Sequence, residues 1–172
     1  GSWMSIQADG RVREERYWDV LDHTTPLVDR SEEEIAHLLL DELRTSVRLR
    51  KMSDVPVGVF LSGGIDSSTN AVLFSEGEQG GVKPFSIGYE GDYRSCRNEF
   101  PFARLVAGQV GSEHFEKRLT IQDLLDFLPR MVYLQDEPIA DPVCVPVYYV
   151  SKLARENGVV VCQVGEGADE LF

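Results

Sequence analysis

The order of apolar and amphipathic segments after residue 50 predicts an α/β fold, an open parallel sheet with helices on both faces. Four short apolar runs have the character of buried strands, and helix-like stretches separate them. Two of these runs end in glycine-rich turns. Ligands of open parallel sheets bind beyond the carboxyl ends of the strands, so we expect a binding site where these turns lie.

The first thirty residues differ from the rest of the chain. Residues 1–4, GSWM, are interpreted as an expression scar, and residues 5–30 as a hairpin around an Asp-Gly turn followed by a linker. Ser31 and Glu34 have the spacing of a capping box, and apolar residues recur at fourfold spacing as far as Val47. This pattern predicts an amphipathic helix over residues 32–50, and residues 31–172 are assigned to the α/β domain.

The elements of that domain follow one another along the chain. The predicted strands are residues 55–60, 83–89, 112–119 and 159–164, and the predicted helices are residues 67–76, 98–110, a segment opened by Thr120, and 145–157. The last strand, VVVCQV, is largely apolar, which is typical of a central parallel strand.

Composition excludes several classes of function. The chain has 17 Lys and Arg against 29 Asp and Glu, a net charge of −12, whereas nucleic-acid binding depends on clustered basic residues. No apolar run approaches the roughly 20 residues of a membrane span, and no signal peptide is visible. We expect a cytoplasmic protein without a nucleic-acid or membrane partner. Its three cysteines lack C-x-x-C spacing and are expected to be reduced.

The first glycine-rich turn has the features of a phosphate site. It joins a strand to a helix and contains Ser62, Gly63, Gly64, Asp66, Ser67 and Ser68. Glycines let the backbone approach an anion, and the N–H groups of a helix start favour negative charge. Asp66 would repel phosphate unless a cation lay between them, which suggests Mg²⁺. The alternative is an ordinary tight turn in which Asp66 or Ser67 caps the helix.

The second glycine-rich turn is acidic. In VGEGADELF, residues 164–172, Gly165 and Gly167 permit close backbone approach, and Glu166, Asp169 and Glu170 supply carboxylates. If the first and fourth predicted strands are neighbours, Asp66 and Asp169 face each other and suit Mg²⁺. The alternative is a solvated acidic helix start.

These segments resemble a known family. The SGGIDSS turn resembles the pyrophosphate loop of the ATP pyrophosphatases. The stretches DVPVGVFLSGGIDSS, FSIGYE, NEFPFARLVA, GSEHFE, DEPIADPVCVPVYYVSKLA and VGEGADELF resemble glutamine-dependent asparagine synthetases from about residue 54 onward. The resemblance implies an adenine-nucleotide alpha-hydrolase-like fold. It further implies that Mg-ATP adenylates aspartate or a related carboxylate with loss of pyrophosphate, and that ammonia then displaces AMP.

The resemblance also implies roles for individual residues. Ser62, Gly63, Gly64, Ser67 and Ser68 would hold pyrophosphate, Asp66 and Asp169 magnesium, and Leu61, Ile87, Gly88, Val164 and Gly165 the nucleotide. Glu166 matches the glutamate needed for acyl-adenylate formation. Glu99 and His114 match recurring positions, and His114 is interpreted as a satisfied, partly buried histidine. Asp136, Glu137 and Asp141 belong to a loop beside the acceptor, or are turn formers.

Departures from the family leave alternatives open. Val164 stands in place of a serine, Gln163 in place of an apolar residue and Asn98 in place of an acidic one. The acceptor could then be another carboxylate, and a β-lactam-synthetase-like enzyme or a non-catalytic nucleotide-binding domain remains an alternative. The glutaminase domain that would supply ammonia is absent from the sequence. We interpret the chain as truncated and inactive alone, and the full-length protein as a possible homodimer.

Overall fold

The computed structural model describes residues 1–78, 81–91, 98–137, 139 and 141–168. The chain divides into two units, Gly1–Leu40 and Asp41–Phe172. Within the described ranges, no helix combines the length and apolarity needed to cross a membrane.

The first unit contains a hairpin and the beginning of a long helix. Strands β1 (Ser2–Ile6) and β2 (Val12–Arg16) pair antiparallel, and the turn contains Gly10 at φ +83°. The predicted hairpin is therefore confirmed, although β1 begins within the four residues assigned to an expression scar. A short 3-10 helix, Val20–His23, follows.

Helix α1 (Glu32–Arg50) has the predicted bounds and contains the boundary between the two units. Its capping box is formed: the Ser31 N–H donates to Glu34 Oε2 at 2.8 Å, and the Glu34 N–H donates to Ser31 Oγ at 3.2 Å. These bonds satisfy N–H groups that a helix start leaves without partners, which explains why the helix begins here.

The second unit alternates strands and helices as predicted. Its elements after α1 are β3 (Val57–Phe60), α2 (Ile65–Ser75), β4 (Lys83–Tyr89), α3 (Phe100–Gln109), β5 (Phe115–Leu119), α4 (Ile121–Gln135), α5 (Cys144–Glu156) and β6 (Val161–Gln163). Helix α4 is opened by the capping box of Thr120 and Asp123.

The strands form one parallel sheet in the order β5-β4-β3-β6. The predicted open parallel sheet is confirmed. The expectation that VVVCQV is a central strand is wrong for the described part of the chain, where β6 is an edge strand. Its apolar residues serve the core instead: Val159 is buried, and Cys162 packs against the same cluster.

Helices cover both faces of the sheet. Phe85 of β4 packs against Val150 and Ala154 of α5. On the other face of β4, a Cβ added to Gly88 would lie 2.6 Å from the ring of Phe100 in α3. Because successive side chains of a strand point to opposite faces, α5 and α3 lie on opposite sides of the sheet.

Two of the three cysteines lie in the described residues, and both are free thiols, as expected. Burial raises the pKa of the Cys162 thiol to about 11, which keeps it protonated and unreactive. Cys96 lies outside the described residues.

Candidate functional site

The glycine-rich turns after β3 and β6 lie side by side at the carboxyl edge of the sheet. In the parallel pair of these strands, Val57 is opposite Val161 and Val59 is opposite Gln163. Because both strands end at this edge, the segments that follow them also leave the sheet there. We call residues 62–68 the first loop and residues 164–168 the second loop. The first and fourth predicted strands are therefore neighbours, which is the condition on which the expected approach of the two turns depends.

The first loop ends in a helix start without a side-chain cap. The N-cap of α2 is Gly64, which has no side chain and makes no capping bond, and Asp66 lies in the first turn. Neither Asp66 nor Ser67 is the N-cap, so the expectation that one of them caps the helix is wrong. First-turn N–H groups and the positive end of the helix dipole favour an anion at such a position.

Hydrogen bonds between serines hold the shape of the first loop. The Ser62 N–H donates to Ser67 Oγ at 3.2 Å, and the Gly64 N–H donates to Ser62 Oγ at 3.2 Å. The two hydroxyl oxygens lie 2.8 Å apart, and the Ser67 hydroxyl donates to the Gly64 carbonyl at 3.2 Å. The loop therefore gathers two of the predicted phosphate-binding hydroxyls at one point. The third, Ser68, is partly buried in the first turn of α2.

Gly63 is required by the packing of the first loop. Its φ of +97° lies in the region that favours glycine, and an added Cβ would lie 2.8 Å from the backbone oxygen of Glu99. The start of α3 thus presses directly on the turn. Glu99 contributes through its backbone at this contact, whatever its carboxylate does.

The second loop leaves β6 in contact with the first turn of α2. A Cβ added to Gly165 would lie 3.5 Å from the backbone oxygen of Asp66 and 3.7 Å from Cβ of Asn70. Gly167 has a φ of +87°, and both Val164 and Glu166 are exposed. Asp169 and Glu170 lie outside the described residues, so the predicted approach of Asp66 and Asp169 stays a prediction.

An amide pair joins the two sides of this edge. Gln163 Nε2 of β6 donates to Asn70 Oδ1 of α2 at 2.9 Å. Asn70 is 8% exposed, and neither its Nδ2 nor Gln163 Oε1 has a hydrogen-bond partner. Gln163 is visible in the sequence as an unusual residue for an apolar strand, whereas no sequence pattern identifies Asn70 as its partner.

Asp66 is the only predicted magnesium ligand among the described residues, and it is exposed at the start of α2. Within these ranges, no group of three or more His, Cys, Asp or Glu side chains could hold a metal ion by itself. One exposed carboxylate beside serine hydroxyls fits a cation that brings phosphate oxygens with it, because Mg²⁺ commonly takes one or two protein carboxylates.

The residues predicted to line the nucleotide lie along β3 and β4. Leu61 is 1% exposed, so a contact from Leu61 to a nucleotide would involve its backbone rather than its side chain. Its N–H is already bonded to the Phe85 carbonyl at 2.9 Å. Ile87 is partly buried against two apolar clusters. Gly88 is buried beside Phe100, where a larger residue would not fit.

His114 lies directly before β5 and is bonded to the strand beside it. Its Nε2 is 2.7 Å from Ser86 Oγ, and its Nδ1 is 3.2 Å from Glu116 Oε1 without forming a hydrogen bond. Burial lowers the pKa of His114, Glu116 opposes that shift, and Arg104 adds to it. The expectation of a partly buried histidine is confirmed, although only one ring nitrogen is satisfied.

The segment predicted to lie beside an acceptor adjoins an apolar groove. Asp136 ends α4 with a φ of 56°, and Asp141 Oδ1 accepts from the Val143 N–H at 2.9 Å, which is the behaviour of a turn former. Asp141 also lines an open groove of about 630 Å³ at the carboxyl ends of β4 and β5, together with Tyr89, Leu119, Leu124, Met131 and Val145. Pro138 and Ala140 lie outside the described residues.

Comparison with known proteins connects this edge to one family. A family model described as asparagine synthase matches residues 38–172. The asparagine synthetase [glutamine-hydrolyzing] 1 of Bacillus subtilis is 37% identical over 172 residues, which cover 100% of this chain and 26% of that protein. The putative asparagine synthetase [glutamine-hydrolyzing] 2 of Methanocaldococcus jannaschii is 35% identical, covering 94% of this chain and 30% of that protein.

The chain therefore spans less than a third of the length of these two relatives. Among solved structures, an NH3-dependent NAD synthetase from Campylobacter jejuni in complex with a nitrate ion superposes with a TM-score of 0.43 and 17% sequence identity, covering 76% of this chain and 55% of that one. This similarity is too low to support an argument about function.

Proposed function

The chain belongs to the asparagine synthase family, and from this premise we propose that it is the ATP-binding part of an amidotransferase. The whole enzyme uses ATP to adenylate a carboxylate and releases pyrophosphate. Ammonia then displaces AMP and leaves an amide. The acceptor is aspartate or a related small carboxylic acid.

The observation that carries the proposal is the contact between the two loops. A Cβ at Gly165 would lie only 3.5 Å from the backbone of Asp66, so the backbone that follows β6 runs directly beside the uncapped start of α2. A phosphate chain bound at that helix start would meet both loops at once. Residues of two strand ends could then act on one triphosphate.

The first loop would bind the leaving pyrophosphate. Ser62, Gly63 and Gly64 contribute backbone N–H groups and a hydroxyl, and Ser67 and Ser68 add hydroxyls from the first turn of α2. Phosphate oxygens would replace the serine hydroxyls as acceptors for the Ser62 and Gly64 N–H groups. In the adenylation step an acceptor oxygen bonds to the α-phosphorus while the bond from that phosphorus to the oxygen shared with the β-phosphate breaks. Pyrophosphate departs with the electron pair, and donors fixed around it stabilise that charge.

Asp66 and Asp169 would hold magnesium against the phosphate oxygens. The bound cation supplies compensation for the negative charge of the triphosphate. Asp66 contributes one exposed carboxylate at the start of α2, where the helix dipole also favours anionic ligands.

Glu166 would act on the acyl-adenylate. Its exposed side chain belongs to the loop that lies against Asp66, which is where the reacting groups would meet. It would order water around the cation or accept a proton from the attacking ammonia. Leu61, Ile87, Gly88, Val164 and Gly165 would contact the adenosine, Leu61 through its backbone.

Ammonia would come from glutamine hydrolysed by a separate glutaminase domain. The named relatives are glutamine-hydrolyzing synthetases, which supports this source. The full-length protein would work in the cytoplasm, as a possible homodimer, without a nucleic-acid or membrane partner. Val164 stands where the family carries serine, so a β-lactam-synthetase-like ring closure is the second candidate function, and nucleotide binding without turnover is the third.

Asp66→Asn in the full-length protein tests the proposal. With ATP, glutamine and aspartate or related acids, we expect pyrophosphate release to fall at least about a hundredfold, because the cation loses a ligand. Glu76→Gln is the matched control: it removes a carboxylate at the other end of α2, where Glu76 pairs with Arg44, and should retain activity.

The products discriminate between the candidates. Amide formation with pyrophosphate release supports the first function, a cyclised product supports the second, and ATP binding without pyrophosphate supports the third. Near-normal pyrophosphate release by Asp66→Asn would reject the magnesium role.

A further inference from the structure

A chain of hydrogen bonds runs beneath the first loop from β5 through β4 to the end of β3. The Ser86 side chain, which is 2% exposed, bonds to the carbonyl oxygen of Leu61. A carbonyl oxygen only accepts hydrogen bonds, so the hydroxyl of Ser86 must donate its single proton there. Ser86 is thereby left as an acceptor toward its other neighbour.

That neighbour is His114, and the contact fixes its tautomer. His114 Nε2 lies 2.7 Å from Ser86 Oγ. Because the hydroxyl proton already goes to Leu61, Nε2 must carry a hydrogen and donate it to Ser86. The direction of donation is then defined over the whole chain: His114 donates to Ser86, and Ser86 donates to Leu61.

Charged groups on two elements face the far side of the imidazole. Glu116 of β5 lies 3.2 Å from Nδ1, and Arg104 of α3 binds both oxygens of Glu116, at 2.8 Å and 2.6 Å. Burial lowers the pKa of His114 and favours the neutral ring. Arg104 holds Glu116, and Glu116 in turn limits where the ring can lie.

The order Ser-His-Glu does not make a nucleophile here. Ser86 is buried within the sheet, and its proton is committed to a backbone carbonyl rather than to the imidazole. A hydrolytic triad needs an exposed hydroxyl that donates to histidine. The hydrogen bonds of His114 and Ser86 therefore act on the backbone and not on a substrate.

The backbone group it holds is the first peptide of the first loop. The carbonyl of Leu61 and the N–H of Ser62 belong to one planar peptide unit, so fixing the oxygen also fixes the direction of the N–H. That N–H is the one that donates to Ser67 Oγ. We propose that Ser86 and His114 are positioning residues that orient the peptide between Leu61 and Ser62 and so preorganise the pyrophosphate site.

This inference rests on the proposed function, since it concerns the same loop. Donors aimed in advance at developing charge mainly accelerate the chemical step. Loss of the hydrogen bonds from His114 to Ser86 and from Ser86 to Leu61 should therefore lower kcat more than it raises KM for ATP. If the two residues had a purely structural role, their loss would lower the melting temperature without lowering kcat more than it raises KM.

The decisive comparison is His114→Gln against His114→Asn in the full-length enzyme. The amide nitrogen of glutamine can occupy the position of Nε2 and donate to Ser86, whereas that of asparagine corresponds to Nδ1 and falls short. We expect His114→Asn to lower kcat for pyrophosphate release about tenfold or more, with KM changed less, and His114→Gln to stay within about threefold of the unmodified enzyme. Ser86→Ala should match His114→Asn.

Equal losses in the two histidine variants would overturn the proposal, and so would melting temperatures that fall while kcat holds. If Ser86→Ala fails to fold, the histidine pair decides alone. If the unmodified enzyme releases no pyrophosphate, the proposed function fails. The positioning role is then judged by calorimetric binding of inorganic pyrophosphate, where His114→Asn should bind about tenfold more weakly than His114→Gln, and equal affinities overturn it.

Discussion

The two faces of the parallel sheet are built from different chemistry. On the face covered by α5, Phe85 is fully buried in an apolar cluster with Val150, Ala154 and Val159. On the face covered by α2 and α3, polar groups are enclosed as well: Ser86 holds the carbonyl of Leu61. The first face supplies stability, and the second adjusts the backbone of the loops at the carboxyl edge.

The two kinds of contact have different effects on the position of a backbone group. Hydrophobic burial is non-directional and holds the strands together whatever their detailed orientation. Hydrogen bonds are directional, and in a buried environment an unmade one is costly. A buried hydrogen bond beneath the loops, such as the one from Ser86 to the carbonyl of Leu61, can therefore set the angle of an individual peptide.

The largest effect should come from the apolar face. Phe85→Ala removes a side chain that is fully buried, and we expect the free energy of unfolding to fall by about 3–5 kcal/mol. Urea denaturation measures the free energy of unfolding, and amide hydrogen exchange in β4 gives an independent value. Phe102→Ala is the control, because Phe102 is largely exposed on α3 and should change stability by less than about 0.5 kcal/mol. Equal effects would contradict the assignment of the core to this face.

A smaller effect is expected at the amide pair of the second face. Gln163→Leu leaves the buried Oδ1 of Asn70 without its donor and should lower the free energy of unfolding by about 1–3 kcal/mol. The double variant Asn70→Leu with Gln163→Leu removes both polar groups and should recover part of that loss. A double-mutant cycle by thermal denaturation measures the coupling, and additive effects would show that the pair contributes no specific interaction.

The smallest effect is a pH dependence at His114. Burial holds the pKa of this histidine below its usual value of 6.5, so the unfolded chain binds more protons than the folded one in the range below that value. Stability should therefore be complete above pH 6.5 and decline as the pH falls through the lowered pKa. His114→Gln should lack this component, as the difference between two denaturation series from pH 7.5 to pH 5 would reveal. Parallel series would contradict it.

Many of the helices and strands could be predicted from the sequence because the patterns that specify them lie in neighbouring residues. Strand β4 and helix α1 have the predicted bounds, since a period-2 or period-3.6 pattern and a capping box are visible in neighbouring residues. The placement of two glycine turns at one edge followed from the α/β alternation. The N-cap of α2 is Gly64, whereas Asp66 or Ser67 was expected in one interpretation. A motif alone does not reveal which residue has N-cap geometry.

The polar contacts were not predictable in the same way. Asn70 and Gln163 are 93 residues apart, and Ser86 and His114 are 28 apart, so no local pattern connects them. The one available signal was a polar residue inside an apolar segment, which Gln163 provided. The edge position that β6 has in the described part of the chain was missed because its valines suggested burial on both sides, whereas Val160 and Val161 are exposed there.

The parallel pairing of β3 with β6 also has a temporal consequence. Val57 and Val161 pair in the sheet but lie far apart in the sequence. At a synthesis rate of roughly 5–20 residues per second, a ribosome adds Val161 roughly 5–20 seconds after Val57. During that interval one edge of β3 has no β6 to pair with, and an unpaired edge invites association with other chains. A growing polypeptide of this kind exposes the edge of β3, beside the site proposed for the nucleotide, before β6 has been synthesised.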